Sequence, residues 1–188
     1  VAINSREVNP GDLFVAIKGP TFNGHDFVAD ALAAGASAAV IDRRADVFRG
    51  DTPLLEVSDT TEALENLGRA ARQRAATKII AVTGSVGKTG TKEALHLVLQ
   101  KQASCSASWG NLNNHWGVPL SLSRMPADTA FGVFEIGMNH PGEITPLTKM
   151  VRPHIAVITN VELVHVENFE SLESIADAKA EILAGLED

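Results

Sequence analysis

Only one of the 188 residues is a cysteine, Cys105, so no internal disulfide framework can hold this chain together. No apolar run approaches the length of a membrane span or of a signal-peptide core. An excess of positive charge is missing too: 16 Lys and Arg stand against 23 Asp and Glu, the formal net charge is -7, and the basic residues form no stripe. Nucleic acid and anionic membrane surfaces are thereby disfavoured as main partners, although local positive sites can still hold phosphates. Disordered and repetitive segments are lacking, and 45% hydrophobic content is enough for one good core or two small ones. These absences point to a globular protein of the cytoplasm. The sequence opens on Val1 rather than Met and closes at Asp188 after a helix-like stretch, as expected of a fragment of a longer chain.

What is present is concentrated in Lys78-Ile79-Ile80-Ala81-Val82-Thr83-Gly84-Ser85-Val86-Gly87-Lys88-Thr89, an apolar strand leading through a glycine-hinged loop into a helix. Gly84 and Gly87 permit backbone conformations that a Cβ forbids, so successive N–H groups of Ser85, Val86 and the start of the helix to Gly90 can point at phosphate oxygens. Lys88 brings a positive charge to the β/γ-phosphates, and the Thr89 hydroxyl can ligate Mg²⁺. The pattern is GxxGKT, because Val82 occupies the place of the first glycine of a Walker A motif. A plain glycine turn between strand and helix is the alternative.

Around this loop the chain reads as α/β throughout. Asp12 to Ile17, Ala38 to Ile41 and Leu54 to Val57 are expected as short strands and His25 to Gly35 as a helix, together forming a small unit. A second helix should start near Asp59, with Glu62 three residues on as in a capping box, and run to about Ala75, with a domain boundary near Ala76. From Lys78 onwards the pattern is one of buried strands, Ile79 to Val82, Phe131 to Ile136 and Ile155 to Val161, separated by helices. Such strands indicate a parallel sheet covered on both faces, and ligands gather beyond the carboxyl ends of such sheets. There the sequence places the Gly84 loop, Glu135 and Asn160, each at the end of its own strand.

Glu135 ends an otherwise apolar strand, where an ionised carboxylate is costly unless a cation or hydrogen bonds compensate. A Mg²⁺ shared with Thr89 would do so; a Glu emerging to cap a neighbouring helix is the alternative. His165, just after the third strand, is either a surface or packing residue or a member of the active edge. Lys179 falls on the face of a helix marked by Leu172, Ile175, Ala176, Ile182, Leu183 and Leu186. Its stem could pack while the ammonium reaches water. Alternatively, burial would lower its pKa and favour the neutral amine, which reacts with carbon dioxide to give an anionic, metal-binding carbamate. Asn111, Asn113 and Asn114, followed by His115 and Trp116, suit a polar sugar or phosphate substrate, or simply a turn.

Taken together, Thr83–Thr89, Gly110-Asn111-Leu112-Asn113-Asn114, Glu135-Ile136-Gly137-Met138-Asn139-His140-Pro141-Gly142-Glu143-Ile144, Thr159-Asn160-Val161 with His165, and Ala178-Lys179-Ala180-Glu181 come in an order that resembles the Mur ligases. The stretches Ser5–Gly19 and Asn23-Gly24-His25-Asp26-Phe27 look like the uridine-nucleotide domain of the same family, with Asn4 and Asn23 where the family usually has Asp. The resemblance covers nearly the whole chain. It implies residues 1–76 as the UDP-MurNAc-peptide-binding domain and 77–188 as an incomplete parallel-sheet P-loop ATPase domain, with the C-terminal domain absent and the chain alone inactive.

The activity implied is an ATP-dependent amide ligation in peptidoglycan synthesis, nearest to the branch that joins D-Ala-D-Ala to UDP-MurNAc-tripeptide through an acyl phosphate. By the same resemblance, Gly84–Gly90 and Asn160 bind ATP, Lys88, Glu135, His165 and Lys179 are catalytic, and Thr89 and Glu135 hold one Mg²⁺. His165 and carbamylated Lys179 hold a second. Ser5, Arg6, Asn111, Asn113 and Asn114 are candidates for the UDP-sugar, and the protein is expected to act as a monomer. Other readings are a different Mur ligase, a folylpolyglutamate synthase-like ligase, or a non-catalytic nucleotide-binding module.

Overall fold

The computed structural model describes residues 1–43, 51–163 and 168–187, and it divides into two compact units, Val1–Leu67 and Gly68–Asp188. In the first, β1 (Leu13–Val15), β2 (Ala38–Ile41) and β3 (Leu54–Glu56) form a parallel sheet in that order, with α1 (Val28–Ala33) between β1 and β2. Phe14, Val28, Ala31, Ala39 and Ile41 are the centre of its core. The two asparagines that depart from the family pattern each cap a 3-10 turn. Asn4 Oδ1 accepts from Arg6 N at 3.1 Å, and Asn23 Oδ1 accepts from His25 N at 3.2 Å. An amide oxygen supplies the same acceptor as a carboxylate there, so the caps are kept.

Helix α2 (Thr60–Arg74) starts as expected, with Asp59 Oδ1 accepting from Thr61 N at 2.7 Å and Glu62 N at 2.9 Å. The two compact units part inside this helix, between Leu67 and Gly68. Its last turns belong to the second core: Gly68 lies against Pro119, and Arg72, 4% exposed, donates to the Val151 carbonyl at 2.8 Å and to the Arg152 carbonyl at 2.9 Å.

The second unit alternates β4 (Lys78–Thr83), α3 (Lys88–Leu99), β5 (Cys105–Ala107), α4 (Gly117–Ser123), β6 (Phe131–Glu135), α5 (Ile144–Val151), β7 (Ile155–Ile158) and α6 (Leu172–Ala180). All strand pairs are parallel in the order β5-β6-β4-β7. Side chains alternate across the sheet. Ile79, Ala81 and Phe134 meet Val118, Leu122, Leu147, Ile175 and Ile182 on one side, and Ile80, Val82 and Val133 meet Leu95 and Leu99 of α3 on the other. Each fully buried Ile, Leu or Phe contributes roughly 1.5–3 kcal/mol. The expected coverage of both faces holds for β4 and β6 but stops short of β7, where Ile155 and Ile158 are exposed. The packed helices gather over the centre of the sheet. No helix among the described residues is long and apolar enough to cross a membrane.

The last apolar stripe does not form one helix. After Ala180 the chain tightens into a 3-10 segment, Glu181–Gly185, and the inward residues are Ile175, Ala178, Lys179 and Ile182, with Leu172, Leu183 and Leu186 exposed. At this break the Glu181 carboxylate accepts from Gly142 N at 2.6 Å and from Thr145 N and Oγ1, both at 2.9 Å. It thereby caps the amino end of α5.

Candidate active site

The register that sets Val82 opposite Glu135 and Thr83 opposite Ile158 brings the ends of β4, β6 and β7 to one edge of the sheet. The loop after β4 is shaped there by its neighbours. Gly84 has φ 143°, and a Cβ on it would collide with Thr159 Oγ1, which itself donates to the Val86 carbonyl at 2.6 Å. Gly87, at φ 86°, is the left-handed residue from which α3 begins. Asn160 holds the loop from the β7 side, its Oδ1 accepting from Val86 N at 2.9 Å and its carbonyl from Ser85 N at 3.1 Å. Ser85 Oγ donates to Glu162 O and accepts from Glu162 N, both at 2.9 Å. Gly90 lies exposed in the first turn of α3 with open space around it. Lys88 folds back over the loop, donating to Gly84 O at 2.7 Å and Ser85 O at 3.3 Å. Burial lowers its pKa, and the nearby Glu135 charge opposes that shift.

Glu135 is 2% exposed and caps no helix. Its Oε2 accepts from Thr89 Oγ1 at 2.8 Å and its Oε1 from Asn113 Nδ2 at 2.7 Å, while its backbone N–H donates to Ser108 Oγ at 3.1 Å. The carboxylate therefore bridges the phosphate-type loop and the asparagine segment. Thr83, at the end of β4, has a buried hydroxyl without a hydrogen-bond partner among the described residues. It follows Ile79 and Ala81 on the face of β4 away from α3, so the oxygen donors brought together at this edge are the Glu135 carboxylate and the Thr89 hydroxyl, a donor set of the kind a hard cation takes.

Lys179 is 2% exposed, so its ammonium does not reach bulk water. Burial, and next the charge of Lys88, pull its pKa down to about 8. The two lysines thus sense the same region. No ion pair of Lys179 falls among the described residues, nor does any group of three His, Cys, Asp or Glu arranged to hold a metal. His165, expected on this edge, lies outside the described residues.

The remaining candidates divide between the units. Asn113 is engaged by Glu135, and its carbonyl accepts from Gly137 N at 2.8 Å. Asn114 Oδ1 accepts from Trp116 N at 3.2 Å and Gly117 N at 2.9 Å, so it initiates α4, and Asn111 is exposed. Ser5 and Arg6 line a cavity of about 330 Å³ in the first unit, walled by Phe14, Phe22 and Phe27. An apolar wall with a few polar groups at its mouth suits a flat heterocycle with a polar tail.

The sequence pattern did not single out Lys92 or Ser108, and Thr159 entered only as part of a motif, with no role of its own. Lys92 had a signal: it lies four residues after Lys88 and shares an inward face with Leu95 and Leu99. Ser108 and Thr159 act through backbone partners, which leave no pattern in the residue types.

Comparison with known proteins gives consistent matches along the chain. Residues 82–188 match the Mur ligase middle domain and residues 1–72 the Mur ligase family catalytic domain. The UDP-N-acetylmuramoyl-tripeptide–D-alanyl-D-alanine ligase of Rickettsia prowazekii is 44% identical over 97% of the chain, which spans 40% of that relative. A crystal structure of MurF from Acinetobacter baumannii superposes with a TM-score of 0.87 at 40% identity, covering 99% of this chain and 41% of that one. The MurF ligase of Thermotoga maritima in complex with ADP gives a TM-score of 0.83 at 35% identity, covering 99% and 43%. The chain thus spans about two fifths of the length of the relatives it matches.

Proposed function

Because this chain belongs to the Mur ligase family, we propose that it forms the uridine-nucleotide unit and the phosphate-binding part of the ATPase unit of an ATP-dependent ligase. The substrates are UDP-MurNAc-tripeptide and D-Ala-D-Ala, and the product feeds peptidoglycan, on which cell shape and division depend. Residues 1–76 serve the UDP-sugar peptide and 77–188 serve ATP. The observation that carries this reading is Glu135, a buried carboxylate shared between Thr89 of the loop and Asn113.

A carboxylate becomes a useful electrophile only with a leaving group in place. The γ-phosphoryl of ATP passes to a carboxylate oxygen of the tripeptide, giving an acyl phosphate and ADP. The amine of D-Ala-D-Ala then adds to the acyl carbon, the C–O bond to phosphate breaks, and the amine loses a proton. Two anions must approach for the first step. Lys88 exchanges the Gly84 and Ser85 carbonyls for phosphate oxygens and offsets part of that repulsion. Thr89 and Glu135 would hold a Mg²⁺ at the nucleotide, which when bound neutralises phosphate charge. Burial at Lys179 favours the neutral amine that forms a carbamate, and with His165 this anion would serve a second Mg²⁺. Ser5, Arg6 and Asn111 contact the UDP-sugar, whereas Asn113 and Asn114 shape the segment around it. The protein acts as a cytoplasmic monomer without nucleic acid or membrane partners.

The test is phosphate release by the full-length protein with ATP, UDP-MurNAc-tripeptide and D-Ala-D-Ala, each omitted or exchanged in turn. Release should need all three, should fall when other amine donors replace D-Ala-D-Ala, and should vanish in Lys88→Ala. Turnover that ignores the amine, or an active Lys88→Ala variant, would overturn the reading.

A further inference from the structure

Lys92 is fully buried in α3, at 0% exposure, yet its ammonium is completely satisfied. Three acceptors meet its three N–H bonds: Ser108 O at 2.7 Å, Gly110 O at 3.1 Å and Glu93 Oε1 at 2.7 Å. A buried ammonium is expensive to desolvate, and a methionine of similar length would fill the same space without that cost. What the lysine adds is geometry. It grips the backbone on both sides of Trp109, and the next residue in its grip, Gly110, is left-handed at φ 56°. From there the segment returns to the site: Ser108 Oγ accepts from Glu135 N, and Asn113 donates to Glu135 Oε1. Lys92 lies four residues after Lys88 and three after Thr89 on one helix, so a single rigid element carries both the phosphate contacts and this grip.

We propose that Lys92 is a positioning residue for the reaction, locking the segment Ser108–Asn114 to the helix that bears Lys88 and Thr89. Asn113 is thereby held where it fixes the Glu135 carboxylate level with the phosphate loop. The word reaction rests on the ligase reading above; the clamp itself rests on the hydrogen bonds alone.

The experiment compares Lys92→Met with the wild type in the full-length protein, by steady-state phosphate release and by hydrogen exchange of the amides from Ser108 to Asn114. Misplacement of reacting groups by about 1 Å lowers kcat by about 10²-fold. The KM for ATP should shift by less than about 3-fold, because the bonds that shape the phosphate loop remain. Exchange across Gly110–Asn114 should quicken, and Lys92→Arg, which keeps the charge and donors, should recover part of both. Lys92→Gln, whose donor is too short to reach both carbonyls, should give the same pattern if the methionine variant does not fold. A folded Lys92→Met or Lys92→Gln protein with unchanged kcat and unchanged exchange overturns the clamp. Lack of ligase turnover in the wild type would instead remove the functional reading, and the exchange measurement would still decide the clamp.

Discussion

The hydroxyl of Thr89 donates a 2.8 Å hydrogen bond to Oε2 of Glu135, joining the first turn of α3 to the end of β6. This contact follows from strand register: with Val82 opposite Glu135, the last residue of β6 is level with the loop that leaves β4. Asn113 occupies the other carboxylate oxygen, so the charge is oriented from both sides before any ligand arrives.

Substituting Glu135→Gln should separate charge from shape. The amide can still pair with Thr89 and Asn113, so the melting temperature should stay within a few degrees of wild type, while the carboxylate charge proposed to hold Mg²⁺ is gone. Turnover of ATP in the full-length protein should fall by about 10²-fold or more. Near-normal turnover across a magnesium titration would count against a metal at Glu135.

Lys179 makes stability depend on pH in a defined direction. The ordinary amine value is 10.5, and burial in the fold pulls it to about 8. Between these values the unfolded chain holds the proton that the folded chain has released, so stability rises with pH across that window. Below it the folded chain bears the full cost of a buried ammonium, about 3 kcal/mol. Lys179→Met should therefore unfold at higher urea than wild type near neutral pH, and the gap should close as pH passes about 10.5. A gap that stays constant with pH contradicts this.

Gly84 sits against Thr159 with a backbone that L side chains rarely adopt. Gly84→Ala should cost about 1–3 kcal/mol in denaturant unfolding and weaken nucleotide binding, because the new methyl group displaces the Thr159 hydroxyl from the Val86 carbonyl. The double variant Gly84→Ala/Thr159→Ser should remain impaired, since the backbone strain persists. Wild-type stability in Gly84→Ala would show that the loop tolerates a different path.

Much of the site was legible because its chemistry sits in side chains at strand ends. The order strand, Gly84, Gly87, Lys88, Thr89 identified the loop, and the isolated carboxylate of Glu135 on an apolar strand marked its partner. Less could be read where backbone atoms carry the interaction. Lys92 binds the carbonyls of Ser108 and Gly110, and any residue types there would offer the same acceptors. The short strand β5 and the helices α4 and α5 went unread, β5 because Cys105-Ser106-Ala107 carries no apolar run to mark it. The break after Ala180 was hidden for a different reason. It coincides with Glu181 reaching the start of α5, a tertiary contact that the continuous apolar spacing of Ile175, Ile182 and Leu186 concealed.

The central claim is that ATP activates a carboxylate as an acyl phosphate, and isotope transfer tests it most directly. UDP-MurNAc-tripeptide labelled with heavy oxygen in its terminal carboxylate would be turned over by the full-length protein with ATP and D-Ala-D-Ala, and the products analysed by mass spectrometry. The account predicts one labelled oxygen in the released phosphate and the other in the new amide, with ADP unlabelled. Label in AMP, or phosphate released without label while the amide forms, would contradict it.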